Sequence, residues 1–301
     1  MPAPFPARVD ALGFIGLGVM GEPMCANLAR RCGLPVHAYD LAPAPLARLG
    51  EAGVHAAASV EAVGEAADIV FLCLANPEQT EHVAAALARA RQAGARPGVL
   101  VDTGTTGVRA ARELAARLAE AGILYVDAPV ARMREAARDG TLSIMVGGSA
   151  EAYAGLAPYL RCMGSDLTHC GGTGAGQAAK VLNNMVLIQT VHALAEALAI
   201  GRGLGLDGRV LFEALGLGSA DSKALRMQGL GHLVPGDFPR GAFSSAYARK
   251  DLGLALDAAA MAGVDPAGAR TTASLLDAAC VAGYRDDYYP VFIKLIERAN
   301  Q

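Results

Sequence analysis

The stretch from Ala11 to Leu28 constrains this chain more than any other. A short apolar run, Ala11 to Ile15, ends directly in Gly16-Leu17-Gly18-Val19-Met20-Gly21, and a helix-forming segment follows. Strand, glycine turn and helix in that order make the common pattern G-x-G-x-x-G a constraint on the backbone path. Gly16 permits the tight turn, Gly18 lets the backbone come close to a pyrophosphate, and Gly21 lets the helix lie against the strand. The unpaired N–H groups at the helix start face the same point, with the positive end of the helix dipole behind them. The alternative is a glycine-rich turn that binds nothing; the flanking strand and helix weigh against it.

With 301 residues the chain is long for one core, and two domains are expected. Hydrophobic residues make up 53% and charged ones 18%, enough to bury a large core and too apolar for disorder. A formal net charge of −3 leaves no electrostatic footprint for nucleic acid. No apolar run reaches the roughly 20 residues of a membrane span without Gly or polar interruptions, so no membrane role is expected. The first ten residues, MPAPFPARVD, are Pro-rich without an apolar centre and read as a frayed lead-in rather than an export signal. A cytoplasmic location is the expectation. The six cysteines show no C-x-x-C pair and are expected to be reduced, mostly buried small hydrophobes; the six histidines fall at no metal-ligand spacing, so no metal site is expected.

The second strand, Pro35 to Asp40, ends in an acid 19 residues beyond Gly21. That is where a Rossmann-type unit places a carboxylate on the adenosine ribose hydroxyls. Leu41 and Ala42 follow, and the next cation is Arg48. A 2′-phosphate would meet the Asp40 charge with no cation beside it, which favours NAD over NADP. Capping of the next helix is the plainer role for Asp40. Helical patches near 45–51 and 59–66 precede a buried strand, Asp68 to Leu74; the Ala75-Asn76-Pro77 turn then leads to a helix over 77–91. Strand 98–102 opens the turn Thr103-Gly104-Thr105-Thr106, and helix 108–121 follows. Strands over 123–127, 142–146 and 166–169 and a helix over 151–160 complete the alternation. It predicts a mostly parallel, doubly wound sheet with ligands at the strand C-terminal ends, where the 16–21, 74–77 and 103–106 turns converge.

From Gly171 the pattern changes. Gln177 to Gly203 is a long helical stretch with apolar residues on nearly every face, read as a strut buried all round. Only helix-like segments follow, near 207–217, 221–231, 243–262, 266–283 and 290–300. The expected organisation is a dinucleotide-binding α/β domain over 1–172 and, over 173–301, the linking helix with an all-α domain.

Five ordered blocks carry a resemblance: GFIGLGVMGEPM, DAPV at 127–130, GTLSIMVGG at 140–148, GAGQAAKVLNN at 174–184 and KDLGLALDAA at 250–259. Together they resemble the β-hydroxyacid dehydrogenases, relatives of 3-hydroxyisobutyrate dehydrogenase, from about residue 11 to 297. The resemblance implies a Rossmann domain, a linking helix, a helical substrate domain and a homodimer or homotetramer. It implies reversible oxidation of a small hydroxy acid with a nicotinamide cofactor. It extends the cofactor contacts to Leu17, Val19 and Met20, to Leu41 beside Asp40, and to Leu74, Asn76, Thr105 and Lys250, with Asp251 near the substrate.

The reacting group can also be argued from chemistry. Lys180 and Asn184 are four residues apart, hence on one helix face, which would look into a cleft if the G-A-G turn marks the domain boundary. Hydride transfer at a hydroxyl-bearing carbon needs a partner for the hydroxyl proton. A Lys amine serves once burial or another cation, with Lys250 the candidate, brings its pKa down from ~10.4. Asn184 can hold the substrate oxygen without changing the charge. Lys180 is the first charged residue after Asp166, and none follows before Glu196, which sets it apart from a solvated helix lysine.

Two family patterns are broken. Where relatives read D-x-S-T, this chain has Asp102-Thr103-Gly104-Thr105, and where they read D-A-P-V-S-G-G it has Asp127-Ala128-Pro129-Val130-Ala131-Arg132-Met133. Both hydroxyls that help hold the substrate carboxylate are missing and an Arg has arrived, as in the branch with sulfolactaldehyde reductase and γ-hydroxybutyrate dehydrogenase. Arg132, next to Ala131, is therefore expected either to read the substrate's carboxylate or sulfonate with its planar fork, or to join Arg134 and Arg138 on a solvated basic turn. The leading expectation is an NAD(P)-dependent oxidoreductase interconverting a small anionic 3- or 4-hydroxy acid and its aldehyde or keto form. An imine reductase and a non-catalytic dinucleotide-binding scaffold are the alternatives, and the presence of Lys180 counts against both.

Overall fold

A computed structural model describes residues 3–298. The chain forms two compact units, one up to Lys180 and one from Val181 on.

In the first unit nine strands form one sheet. β1 (Leu12–Ile15), β2 (Val36–Tyr39), β3 (Val54–Ala56), β4 (Ile69–Leu72), β5 (Val99–Asp102) and β6 (Leu124–Asp127) run parallel in the order β3-β2-β1-β4-β5-β6. Beyond β6 lies β8 (Leu142–Gly147), antiparallel to β6 and to β7 (Val130–Ala131); β9 (Gly164–Gly171) pairs parallel with β8. The central strands are apolar at successive positions because both faces are covered. Leu12, Phe14, Phe71 and Val101 pack on one side with Met24 and Leu28 of α1 (Gly21–Arg31) and Leu156 of α7 (Ala150–Leu160). Ile15, Val70, Leu72 and Leu100 pack on the other with Val63 of α3 (Val60–Ala66), Leu87 of α4 (Pro77–Gln92) and Leu114 of α5 (Val108–Glu120). The doubly wound α/β sheet read from the sequence is the one found.

Three small elements escape the sequence pattern. β3 and β7 have three and two residues, too short for a period of two to register, and they exist through pairing with β2 and β8. α6 (Arg134–Asp139) is closed by Gly140 in the left-handed conformation and fixed to α1, whose buried Asn27 donates from Nδ2 to Ala137 O and Arg138 O. α2 (Pro43–Gly50) starts two residues earlier than the pattern suggests, with Pro43 in its first turn.

α8 (Ala175–Gly203) is long and apolar enough to cross a membrane by length and composition alone. Along it Ile188, Val191, Leu194, Ala195 and Leu198 belong to the core of the second unit, with Phe212 of α9 (Gly208–Leu217), Leu252 of α10 (Ser245–Met261) and Leu276 of α11 (Ala267–Ala279). The expectation that this helix is buried all round is corrected: Leu182, Val186 and Ile200 are 44%, 59% and 62% exposed. Apolarity on every face identified the helix but overstated its cover. The second unit is entirely helical among the described residues and ends in α12 (Ile293–Arg298). Ala299 and Asn300, the last two positions of the expected final helix, lie outside the described residues. Cys25 and Cys162 are buried and the other four cysteines half-buried, fewer fully buried than composition suggested.

Candidate active site

The glycine turn has the geometry its sequence demands. Gly16 sits at φ +95°, and a Cβ there would lie 2.4 Å from Cys73 O. A Cβ on Gly21 would lie 1.9 Å from Gly16 O, so α1 can approach the turn only without a side chain. Around Gly18 there is open space, and no side chain caps the start of α1. The backbone therefore offers N–H groups and room where a pyrophosphate would lie. Val19 and Leu41, 58% and 89% exposed, are apolar flanks to that space. These residues fit a dinucleotide.

Asp40 directly follows β2, with both carboxylate oxygens engaged. Oδ2 accepts from Leu17 N at 2.6 Å and Oδ1 from Ala42 N at 2.8 Å. The acid thus ties the glycine turn to the strand next door. The nearest cation in sequence, Arg48, donates through two nitrogens to Glu22 in the first turn of α1, at 2.6 and 2.8 Å.

The three turns expected to converge do so. Leu74 Cδ2 would be 2.8 Å from a Cβ on Gly16, and Leu74 O would be 3.1 Å from one on Gly104. Asn76 caps α4, its Oδ1 accepting from Gln79 N at 2.9 Å, and Thr105 is half-buried in the next turn. Below that turn lies a buried polar lattice that the sequence reading missed. Asp102 and Asp127 end β5 and β6 side by side in register. Asp102 accepts from Gly104 N, Thr106 Oγ1 and Tyr125 OH at 2.9, 2.9 and 3.0 Å. Asp127 accepts from Gly174 N and Gln177 N at 2.7 and 2.8 Å. Gln177 accepts at Oε1 from Thr106 N and Gly107 N, both at 3.1 Å, and donates from Nε2 to Gly104 O at 2.9 Å. Burial pushes the Asp127 carboxyl up to about 6 against the pull of the Gly174, Gln177 and its own backbone N–H groups, with the neighbouring Asp102 charge adding to the rise. Burial and the same two acids hold the Tyr125 hydroxyl well above its ordinary value. An acid terminating each of two apolar strands, and a lone Gln in the first turn of an apolar helix, were the available signals.

Lys180 is half-buried on α8, three residues beyond Gln177. In the second unit Asn184 and Asp251 are buried together, Asn184 Nδ2 donating to Asp251 Oδ2 at 2.6 Å. Lys250 Nζ stands 3.1 Å from Asp251 Oδ1 and 4.1 Å from the centre of the Tyr247 ring.

The structure gives Arg132 a different partner from the expected substrate anion. Ala131 is paired in the β7–β8 ladder opposite Ser143, and Arg132 follows at φ +86°, alone among described non-glycine residues in that region. Its guanidinium donates to Asp166 Oδ2 at 2.7 Å, to Ser165 Oγ at 3.0 Å and to Thr141 O. The next residue back, Gly140, lies against Arg31 at the last turn of α1, whereas the glycine turn is at the first. Arg132 therefore ties its own turn to β9. Arg132→Met is expected to leave KM for an acid substrate within about twofold and to change stability little, because the ion pair is exposed. Steady-state kinetics on an acid and on an uncharged alcohol check this, since a rise confined to the acid would restore the anion-reading role.

Fold and site together define a nicotinamide-dependent dehydrogenase, and comparison with known proteins agrees. Residues 11–172 match the family model of the NAD-binding domain of 6-phosphogluconate dehydrogenase, and residues 174–296 that of the NAD-binding domain of NADP-dependent 3-hydroxyisobutyrate dehydrogenase. The chain is 38% identical over 247 residues to 2-(hydroxymethyl)glutarate dehydrogenase of Eubacterium barkeri, covering 82% of this chain and 81% of that one. It is 39% identical over 269 residues to 3-hydroxyisobutyrate dehydrogenase of Pseudomonas aeruginosa, covering 86% and 88%. The solved structure of Mycobacterium tuberculosis 3-hydroxyisobutyrate dehydrogenase with L-serine superposes at a TM-score of 0.86, with 33% identity over 96% of this chain and 99% of that one. An imine reductase from Myxococcus stipitatus, at 19% identity and a TM-score of 0.63, shares the fold alone. The chain belongs to the β-hydroxyacid dehydrogenase family.

Proposed function

We propose that this protein oxidises a short carboxylic acid bearing a primary alcohol on the carbon next to the carboxyl-bearing one, and reduces the matching semialdehyde, with NAD in preference to NADP. The names of its relatives support the substrate class: 3-hydroxyisobutyrate and 2-(hydroxymethyl)glutarate both carry a CH2OH group on the carbon that holds the carboxylate. The bound nicotinamide would supply the hydride acceptor. What this chain would add is the proton partner, Lys180, with Asn184 four residues on to hold the substrate oxygen. The observation that carries the reading is the clasp of Gln177 on the 104–107 turn, which fixes the first turn of α8 at the strand ends and Lys180 one turn beyond. The experiment is NADH formation with 3-hydroxyisobutyrate, 2-(hydroxymethyl)glutarate, 3-hydroxypropionate, 4-hydroxybutyrate, glycerate and dihydroxypropanesulfonate. Turnover with the sulfonate alone, or with none, would overturn it. The apolar side chains of Leu182, Val186 and Ile200 on α8 support a homo-oligomer, read out by size-exclusion chromatography with light scattering.

The cofactor preference follows from Asp40. Its charge, fixed by two backbone N–H groups, would oppose a 2′-phosphate, and Arg48 is already held by Glu22. The kcat/KM with NAD is expected to exceed that with NADP by about 100-fold, and Asp40→Ser to narrow the ratio by at least about tenfold. Equal use of both cofactors by the wild type would refute the assignment.

A further inference from the structure

The lattice beneath the 103–107 turn lies outside the set of residues to which binding or proton transfer has been ascribed, yet it ends one turn from Lys180. α8 does not cap its own beginning from within the helix. Instead the Asp127 carboxylate, from a strand 47 residues upstream of Gly174, accepts the Gly174 and Gln177 N–H groups through one oxygen each. There is no slack around this contact. A Cβ on Gly147 would lie 2.5 Å from both Asp127 oxygens, and one on Gly176 would lie 2.3 Å from Met145 O and 2.9 Å from Asp127 Oδ2. The Gln177 side chain makes the second tie, to the 104–107 backbone.

We propose that Asp127, in its ionised form, is a positioning residue of this enzyme: with Gln177 it sets Lys180 against the 103–107 turn. The inference rests on the reading of Lys180 as proton partner. Ionisation matters because each oxygen already receives an N–H. A proton on either oxygen makes that oxygen a poorer acceptor for the N–H it receives, and one anchor of α8 would be weakened. The charged and titratable groups facing Asp127 are Asp102 from β5, Tyr125 on its own strand and Cys170 from β9. Arg112 of α5 stands beside Gly174. α8 itself contributes the two N–H donors. With burial opposing those donors the carboxyl titrates near 6, within the working range of kinetics.

The test compares wild type, Asp127→Asn and Gln177→Leu. In the wild type, kcat should fall on the acid side with a limb near pH 6. Asp127→Asn should lower kcat at pH 8 by about 10- to 100-fold, as expected of an ångström-scale misplacement, and should lose that limb. Gln177→Leu should lower kcat comparably and keep the limb, because its carboxylate is intact. Both should bind NADH, followed by fluorescence, within about twofold of wild type. Without cofactor, the Gly174 and Gln177 amides should exchange hydrogen faster in Asp127→Asn. A general loss of stability would lower activity without removing the limb from one variant and leaving it in the other. If Asp127→Asn fails to fold, the wild-type limb and Gln177→Leu still decide. A wild-type profile flat through pH 6, or an Asp127→Asn enzyme with undiminished kcat, overturns the proposal. Full turnover by Lys180→Ala would instead sink the underlying reading, so the two failures are distinguishable.

Discussion

Replacing Lys180 by alanine is expected to lower kcat about 1,000-fold, the scale of a lost general acid–base group, while NADH affinity stays within about twofold. The half-buried Lys180 follows by one turn the Gln177 side chain that grips the 104–107 turn. In the oxidative direction the alcohol proton must leave as the hydride does, and an unprotonated amine at that position would accept it. In the reductive direction the ammonium would return it. Lys180→Arg separates this role from simple charge. A guanidinium keeps the positive charge but does not give up its proton near neutrality, so it should be nearly as inactive as alanine. Stopped-flow measurement with a deuterated nicotinamide would show whether the loss lies in the chemical step. Activity in Lys180→Arg close to wild type would mean that charge alone suffices.

The second large effect concerns stability. Asp127 has a folded value raised to about 6 from an ordinary 3.8, because burial outweighs the backbone N–H groups around it. The stabilisation from holding this proton in the fold is present in full below the ordinary value. It is lost as pH rises through about 6, so at neutral pH the ionised group is carried at a cost. A shift of about two units corresponds to about 3 kcal/mol. Asp127→Asn cannot ionise. Relative to wild type its unfolding free energy should therefore improve by about 2 kcal/mol between roughly pH 4 and pH 7, whatever the offset at either end. Urea unfolding at the two pH values measures this directly. A constant difference would mean that water or a neighbouring cation already meets the Asp127 charge.

The parts legible in sequence are those where one residue type serves one local need. Gly16 and Gly21 were readable because nothing larger fits beside Cys73 O and Gly16 O. The β4 and β5 strands were readable because both their faces are covered, and Asp40 because it ends a strand at the expected spacing. The lattice was not readable. Asp102, Asp127, Thr106 and Gln177 meet through hydrogen bonds spanning up to 73 residues, and each looks alone like a strand end or a helix start. The partners of Arg132 were hidden for a related reason: an arginine near an expected substrate pocket suggests an anion or a solvated turn, and only the fold shows that Asp166 and Ser165 meet it. The exposed side of α8 was hidden because composition reports how apolar a face is, not whether anything covers it.

The clasp between Asp40 and the Leu17 N–H has one more consequence. A loop already fastened by its own chain has surrendered most of its freedom before any guest arrives. Capture of the nucleotide should therefore resemble a key meeting a finished lock, with a modest entropic penalty and little backbone rearrangement.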